Sequence, residues 1–110
     1  MALNFKIYTI FPEIFPGFLG YSLTGRALED GIWSFETVNI RDYAFDKHGS
    51  VDDTPCGGGA GMVMRADVLG RAIAANHRGG RILAMSPKGR PLTQQMVHQL
   101  SREAEISVVC

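Results

Sequence analysis

Only two cysteines, Cys56 and Cys110, occur in the 110 residues. They lie far apart and match no zinc-ligand spacing, and nothing in the pattern supports a disulfide between them. Free thiols in a reducing cytoplasm are the simpler reading. Charge of one sign is missing too: eleven Lys and Arg balance eleven Asp and Glu. Proteins that coat nucleic acid without regard to sequence neutralise many phosphates with an excess of cations, so the balance argues against that class. No apolar run is long enough to cross a bilayer. Met1 to Ile7 lacks the basic stretch, apolar segment and small-residue cleavage site of a secretory signal. A cytoplasmic protein is the default expectation. Internal repeats and low-complexity tracts are absent. His48, His77 and His98 do not gather with Cys or carboxylates at ligand spacing, and no Ser-His-Asp or Cys-His arrangement is present.

What is there is the composition of a globular domain, 45% hydrophobic and 20% charged, and long enough for one small core. Phe5 to Phe11 is β-rich and apolar and stops at Pro12, which predicts a buried strand. Glu13 to Gly20 predicts a short helix, with Pro16 and Gly17 against it. Ser22 is placed to cap a helix running to about Asp30, with Gly31 as its stop. Ile32 to Ile40 reads as a second strand. Residues 41 to 64 have no period, and a segment of that length in a small domain points to a functional loop. The spacing of Val68, Leu69, Ala72 and Ile73 predicts a helix over Ala66 to His77, ended by Gly79 and Gly80. Arg81 to Met85 predicts a strand and Ser86 to Gly89 a turn. Thr93 is placed to cap a helix to about Arg102, with Met96, Val97 and Leu100 on one face. Ile106 to Cys110 predicts a fourth strand. Strands alternating with helices imply an α/β fold, a mostly parallel sheet with helices on both faces. Ligands in such folds bind beyond the carboxyl ends of strands.

Three segments carry candidate chemistry. Gly57-Gly58-Gly59-Ala60-Gly61 puts four glycines in five residues. Each costs roughly 0.5–1 kcal/mol of ordering relative to Ala in regular structure, so the run points to positive φ angles, close backbone approach to a ligand or an anion cradle ahead of the alternative, a flexible surface loop. It is not a P-loop, since Gly-Lys-Ser/Thr is absent, nor a dinucleotide fingerprint, since no strand leads directly into it. Asp52-Asp53 is a carboxylate pair able to accept from a guanine edge or a ribose or to bind a metal, but alone such a pair is more often a solvated turn or a helix cap, and Pro55 and Gly57 strengthen that plainer reading. Ser86-Pro87-Lys88-Gly89-Arg90 offers strand-end backbone groups for an adenine or ribose edge, or a plain turn before a helix. A local basic site from Arg41, Lys47, His48 and Arg65 stays open, although Asp42, Asp46, Asp52 and Asp53 interleave with it as in a solvated loop.

Five blocks in order then resemble the bacterial tRNA (guanine-N1)-methyltransferases. They are Ile10-Phe11-Pro12-Glu13-Ile14-Phe15, Thr24-Gly25-Arg26-Ala27, Arg41-Asp42-Tyr43, Val51-Asp52-Asp53 through Gly57 to Met62, and Ser86-Pro87-Lys88-Gly89-Arg90. The likeness spans the whole chain. It implies the amino-terminal part of a SPOUT-class, trefoil-knot methyltransferase domain over residues 1–110, with the knot incomplete and the carboxy-terminal tRNA-binding domain absent. It implies S-adenosylmethionine as methyl donor, N1 of the guanosine 3′ of the tRNA anticodon as target, and a homodimer with the active site at the subunit interface. Carried over by position, Ala84, Met85, Ser86, Pro87 and Gly89 look like cofactor-binding residues of the first donor-contacting loop. Asp52, Gly57, Gly58, Gly59 and Gly61 look like substrate-binding residues.

Two positions depart from the family pattern: Ala84 stands where Tyr is frequent, and Cys56 where an aromatic is frequent. Ending inside the apolar run Ile106 to Cys110 points to truncation, the alternative being that this strand is the last element of a small sheet; the resemblance implies the former, since the family's Gly-Arg-Tyr-Glu-Gly loop and general-base Asp follow that strand. No catalytic residue is carried over. N1 of guanine holds a proton that a base must take, so the chain by itself is expected to be inactive. Unpaired sheet edges predict poor solubility. The alternatives are a small α/β module that binds an adenosine ligand, and a dimerisation fragment without catalysis.

Overall fold

The structure, a computed structural model, describes residues 2–46 and 65–110, together with the backbone of the short strands Asp52–Asp53 and Val63–Met64. In chain order the regular elements are β1 (Leu3–Thr9), α1 (Ser22–Glu29), β2 (Trp33–Asn39), β3 (Asp52–Asp53), β4 (Val63–Met64), α2 (Ala66–Asn76), β5 (Arg81–Ala84), α3 (Gln94–Leu100) and β6 (Glu105–Val109). Four strands make one sheet in the order β2-β1-β6-β5, and every pairing in it is parallel. β3 and β4 form a separate antiparallel ladder, with Asp52 opposite Met64 and Asp53 opposite Val63.

The first strand lies earlier than its apolar pattern predicts, because the chain turns at Thr9, whose Oγ1 accepts from the Phe11 amide at 3.1 Å. Phe11 is left exposed. The helix expected over Glu13 to Gly20 is instead two 3₁₀ turns, Pro12–Ile14 and Gly17–Gly20. Pro16 brings no amide between them, and Gly17 takes φ +57°, outside the helical region. α1 forms where expected, but Tyr21 occupies the cap position with no side-chain cap, and Ser22 is the first helical residue. Gly31, at φ +75°, ends that helix as the sequence implies. Thr93 does cap α3, its Oγ1 accepting from the Met96 amide at 3.2 Å.

Alternation along the strands gives the sheet two unlike faces. Lys6, Tyr8, Glu36, Val38, Glu105, Ser107 and Val109 share one of them by register. α2 covers this face. Its Val68 and Ala72 join Tyr8, Val38 and Ile40 in the buried core, with Ile10, Tyr43, Leu69, Ile73 and Val109 packed around them. Lys6 is buried at the edge of that core, with ion pairs of 3.3 Å to both Glu36 and Glu105. Its Nζ also donates to the Asn76 carbonyl, where the negative end of the α2 dipole favours a cation. The opposite face carries Leu3, Phe5, Ile7, Trp33, Phe35, Ile106 and Val108. α1 and α3 lie over it without filling it, which leaves two apolar clefts lined from the same sheet surface.

Candidate functional site

The larger cleft opens at the carboxyl end of β5. There the Met85 amide donates to the Val109 carbonyl at 3.1 Å, and the Cys110 amide to the Tyr8 carbonyl at 3.1 Å, so the ends of β5, β6 and β1 are held side by side. Past Met85 the chain turns sharply. The Gly89 amide donates to the Ser86 carbonyl at 3.1 Å, and the Lys88 amide to Ser86 Oγ at 3.1 Å. Both bonds are local to the turn, as expected of a Ser-Pro-x-Gly sequence.

Behind the turn is a cavity of about 600 Å³, within the range of small-molecule sites. Its floor is Leu3, Phe5, Ile106 and Val108 from the sheet, and its wall is Met96, Val97 and Leu100 from α3. Four of the five positions assigned to a cofactor, Ala84, Met85, Ser86 and Gly89, line it, whereas Pro87 does not. The surface is almost wholly apolar, with Ser86, Arg90 and Ser101 as the polar side chains. A second cleft of about 410 Å³ lies under α1, lined by Phe5, Ile7, Phe15, Leu19, Thr24, Trp33, Val108 and Cys110. Burial raises the Cys110 thiol above its ordinary pKa, which keeps it protonated near neutral pH.

Asp52 is placed by its backbone in β3, paired with Met64. Gly57, Gly58, Gly59 and Gly61, like Cys56, Lys47 and His48, lie outside the described residues. Of the basic residues near that loop, Arg65 is engaged by Asp67, with its Nη2 2.8 Å from Oδ2. Its hydrogen bond holds the Asp67 carboxyl below the usual range, helped by the Val68 amide that donates to the same carboxylate. His77 faces the sheet, 3.4 Å from Ser107 Oγ, a structural role like the one its place at a helix end suggests. No group of three or more metal-ligating side chains exists among the described residues.

Sequence reasoning found the turn but not its surroundings. Met96, Val97 and Leu100 are legible as one helix face, yet nothing local shows that this face looks across a gap rather than into packed core. Arg71 and Phe45 were missed altogether. The Arg71 guanidinium lies 4.4 Å from the Phe45 ring centre, and that of Arg65 lies 5.5 Å from it. An exposed Phe followed two dozen residues later by helix arginines carries no signal in one dimension.

A parallel sheet flanked by helices, with an apolar, ligand-sized cleft between one sheet face and α3 that opens at the end of β5, defines a domain of the α/β class. The chain belongs to the tRNA (guanine-1)-methyltransferase TrmD family, whose pattern it matches over residues 3–110. It is 57% identical over 110 residues to a tRNA (guanine-N(1)-)-methyltransferase of Bartonella quintana, covering all of this chain and 47% of that one. It is 59% identical over 108 residues to the protein of the same description from Zymomonas mobilis, covering 96% of this chain and 43% of that one. The crystal structure of the tRNA (m1G37) methyltransferase from Aquifex aeolicus superposes with a TM-score of 0.82 at 28% identity, covering all of this chain and 51% of the other. The chain therefore spans about half the length of the curated relatives it matches. No helix among the described residues is long and apolar enough to cross a membrane.

Proposed function

We propose that this chain supplies the donor-binding half of a methyltransferase that moves a methyl group from S-adenosylmethionine to N1 of the guanosine 3′ of the tRNA anticodon, working as a homodimer. The observation that carries the reading is the cleft lined by Ala84, Met85, Ser86 and Gly89 at the end of a parallel strand. Its residues suit part of the donor well. Apolar walls from Ile106, Val108, Met96 and Leu100 accept a purine face and a thioether flank, and strand-end backbone groups at Met85 to Gly89 suit an adenine edge. With Ala84 where the family frequently has Tyr, base recognition rests on backbone and aliphatic contact rather than on ring stacking. Arg90 provides a cation for the carboxylate of the methionine part. Among the described residues no Asp or Glu lines the cleft.

S-adenosylmethionine, when bound, supplies an electrophilic methyl carbon on a sulfonium. The chain's own part is to hold the adenosine end, exclude water from that side with the α3 wall, and present Asp52 and Gly57 to Gly61 towards the target base. The N1 proton of guanine must be removed, no base is carried over onto this chain from the family pattern, and on that ground we expect the 110 residues alone to leave tRNA unmethylated.

A chimera joining this chain after Cys110 to the remaining half of the Bartonella quintana relative tests the proposal. We expect it to transfer labelled methyl from S-adenosylmethionine to N1 of guanosine in tRNA transcripts. Met96→Trp, which enlarges the α3 wall of the cleft, should lower the rate by about a hundredfold or more with the fold retained by circular dichroism. A folded chimera that transfers no methyl group, or an undiminished rate in the Met96→Trp form, would overturn the reading.

A further inference from the structure

The described residues on either side of the segment that carries Asp52 meet against α2, through specific contacts. On the outgoing side, Tyr43 and Phe45 lie against α2. Arg71 Nη1 donates to the Tyr43 carbonyl at 2.9 Å, and Asn76 Nδ2 donates to the Tyr43 hydroxyl oxygen at 2.8 Å. Asn76 is itself fixed, since the same Nδ2 also donates to the Ala72 carbonyl at 2.7 Å and its own carbonyl accepts from Lys6. On the returning side, Arg65 precedes the first residue of α2 and follows Met64 directly. Both the Arg65 and the Arg71 guanidinium lie within cation–π range of the Phe45 ring, at 5.5 and 4.4 Å. Phe45 is 58% exposed, so burial does little to explain its placement, and the two cations account for it. Arg65 is also tied to Asp67 in the first turn of α2.

We propose that Arg71 is a positioning residue for the target base, acting through Phe45 and Tyr43. This rests on the reading above in that Asp52 serves substrate. The two sides meet there: the Arg65 carbonyl accepts from the Leu69 amide, so α2 holds Arg65 and, one peptide bond before it, Met64, the ladder partner of Asp52, while Arg71 holds Phe45 and Tyr43 on the outgoing side. Arg71 thereby ties the outgoing side of the β3–β4 ladder to the helix that holds its returning side. Exposed cation–π pairs correspond to about two- to fivefold in an equilibrium each. With the Tyr43 hydrogen bond, loss of Arg71 should displace Asp52 at a cost of roughly tenfold in tRNA KM.

Two measurements test this. In the chain itself, nuclear Overhauser contacts across the Asp52–Met64 pair should weaken in Arg71→Met and in Phe45→Leu, while those across β1–β6 persist. In the chimera, both variants should raise the KM for tRNA by a similar factor with the KM for S-adenosylmethionine unchanged. The double variant should be no worse than either single one, and Arg71→Lys, which keeps a cation and one donor, should recover much of the loss. Should Arg71→Met fail to fold, Phe45→Leu and Arg71→Lys carry the same comparison. An unchanged Asp52–Met64 contact overturns the proposal. So do additive losses, or a shallower salt dependence of tRNA binding in Arg71→Met but not in Phe45→Leu, the sign of a direct phosphate contact. If the unsubstituted chimera transfers no methyl group, the functional reading fails, and the contact measurement in the chain still decides the positioning role.

Discussion

Tyr8 is fully buried on the α2 face, and its hydroxyl has no hydrogen-bond partner among the described residues. Ser107 is near enough to bias the phenol without completing a bond to it, and its own Oγ is 3.4 Å from His77 Nδ1. Burial is the main cause that raises the Tyr8 pKa above 10.0. A group raised in this way contributes stability that is whole below the unfolded value near 10 and is lost as pH climbs through the folded value. Tyr8→Phe removes both the orphaned hydroxyl and the alkaline dependence. We expect it to stabilise the chain by about 1 kcal/mol at neutral pH and to flatten the loss of stability above pH 10, as read by urea unfolding across pH. A destabilised Phe form would show that the hydroxyl is satisfied after all. Lys6 is the contrasting case: it is as buried as the core, but two carboxylates and a carbonyl surround it.

At the level of elements, Gly25 shows how a turn and a helix are fitted together. It is the one buried residue of α1, and a Cβ there would run into the Gly20 carbonyl of the preceding 3₁₀ turn. Trp33 secures the other side of the same helix, its Nε1 donating to the Thr24 carbonyl at 2.9 Å. Gly25→Ala should therefore cost about 2 kcal/mol, although Ala is the better helix former, and thermal unfolding would show it. A rise in melting temperature, as propensity alone predicts, would mean that the backbones can part at no cost. Gly25 belongs to the Thr24-Gly25-Arg26-Ala27 block, so its place in the motif is legible in the sequence. The reason for it is not, because the obstructing atom belongs to a different element.

For the molecule as a whole, the sheet has one face closed by α2 and one face left partly open. Met85, Leu92 and Val97 beside the open face and Ile82 on the edge strand β5 are exposed, and that strand has only four residues. An apolar edge of this kind invites pairing with another chain. Ile82→Lys should reduce concentration-dependent self-association of the 110-residue chain in light scattering without lowering its helix content. Association as strong as before would place the contact elsewhere. The same open face supplies the floor of the donor cleft, so the feature that makes the chain prone to associate is also the one proposed to bind a ligand.

The sequence by itself determined the alternation of strands and helices, the stops at Gly31 and Gly79-Gly80, the Thr93 cap, the strand-end turn at Ser86 to Gly89 and, through five ordered blocks, the family. Each of these depends on neighbours within a few residues or on motif order, and periodicity and turn chemistry are local. The tertiary structure alone decided that β6 lies between β1 and β5, which brings the Ser86 turn, the α3 face and the sheet floor around one cleft. It also decided that Lys6 is buried and that Arg71 meets Phe45. Those facts depend on which strands pair and which helix lands on which face. The strand period tells which side chains share a face, but only long-range pairing tells what that face meets.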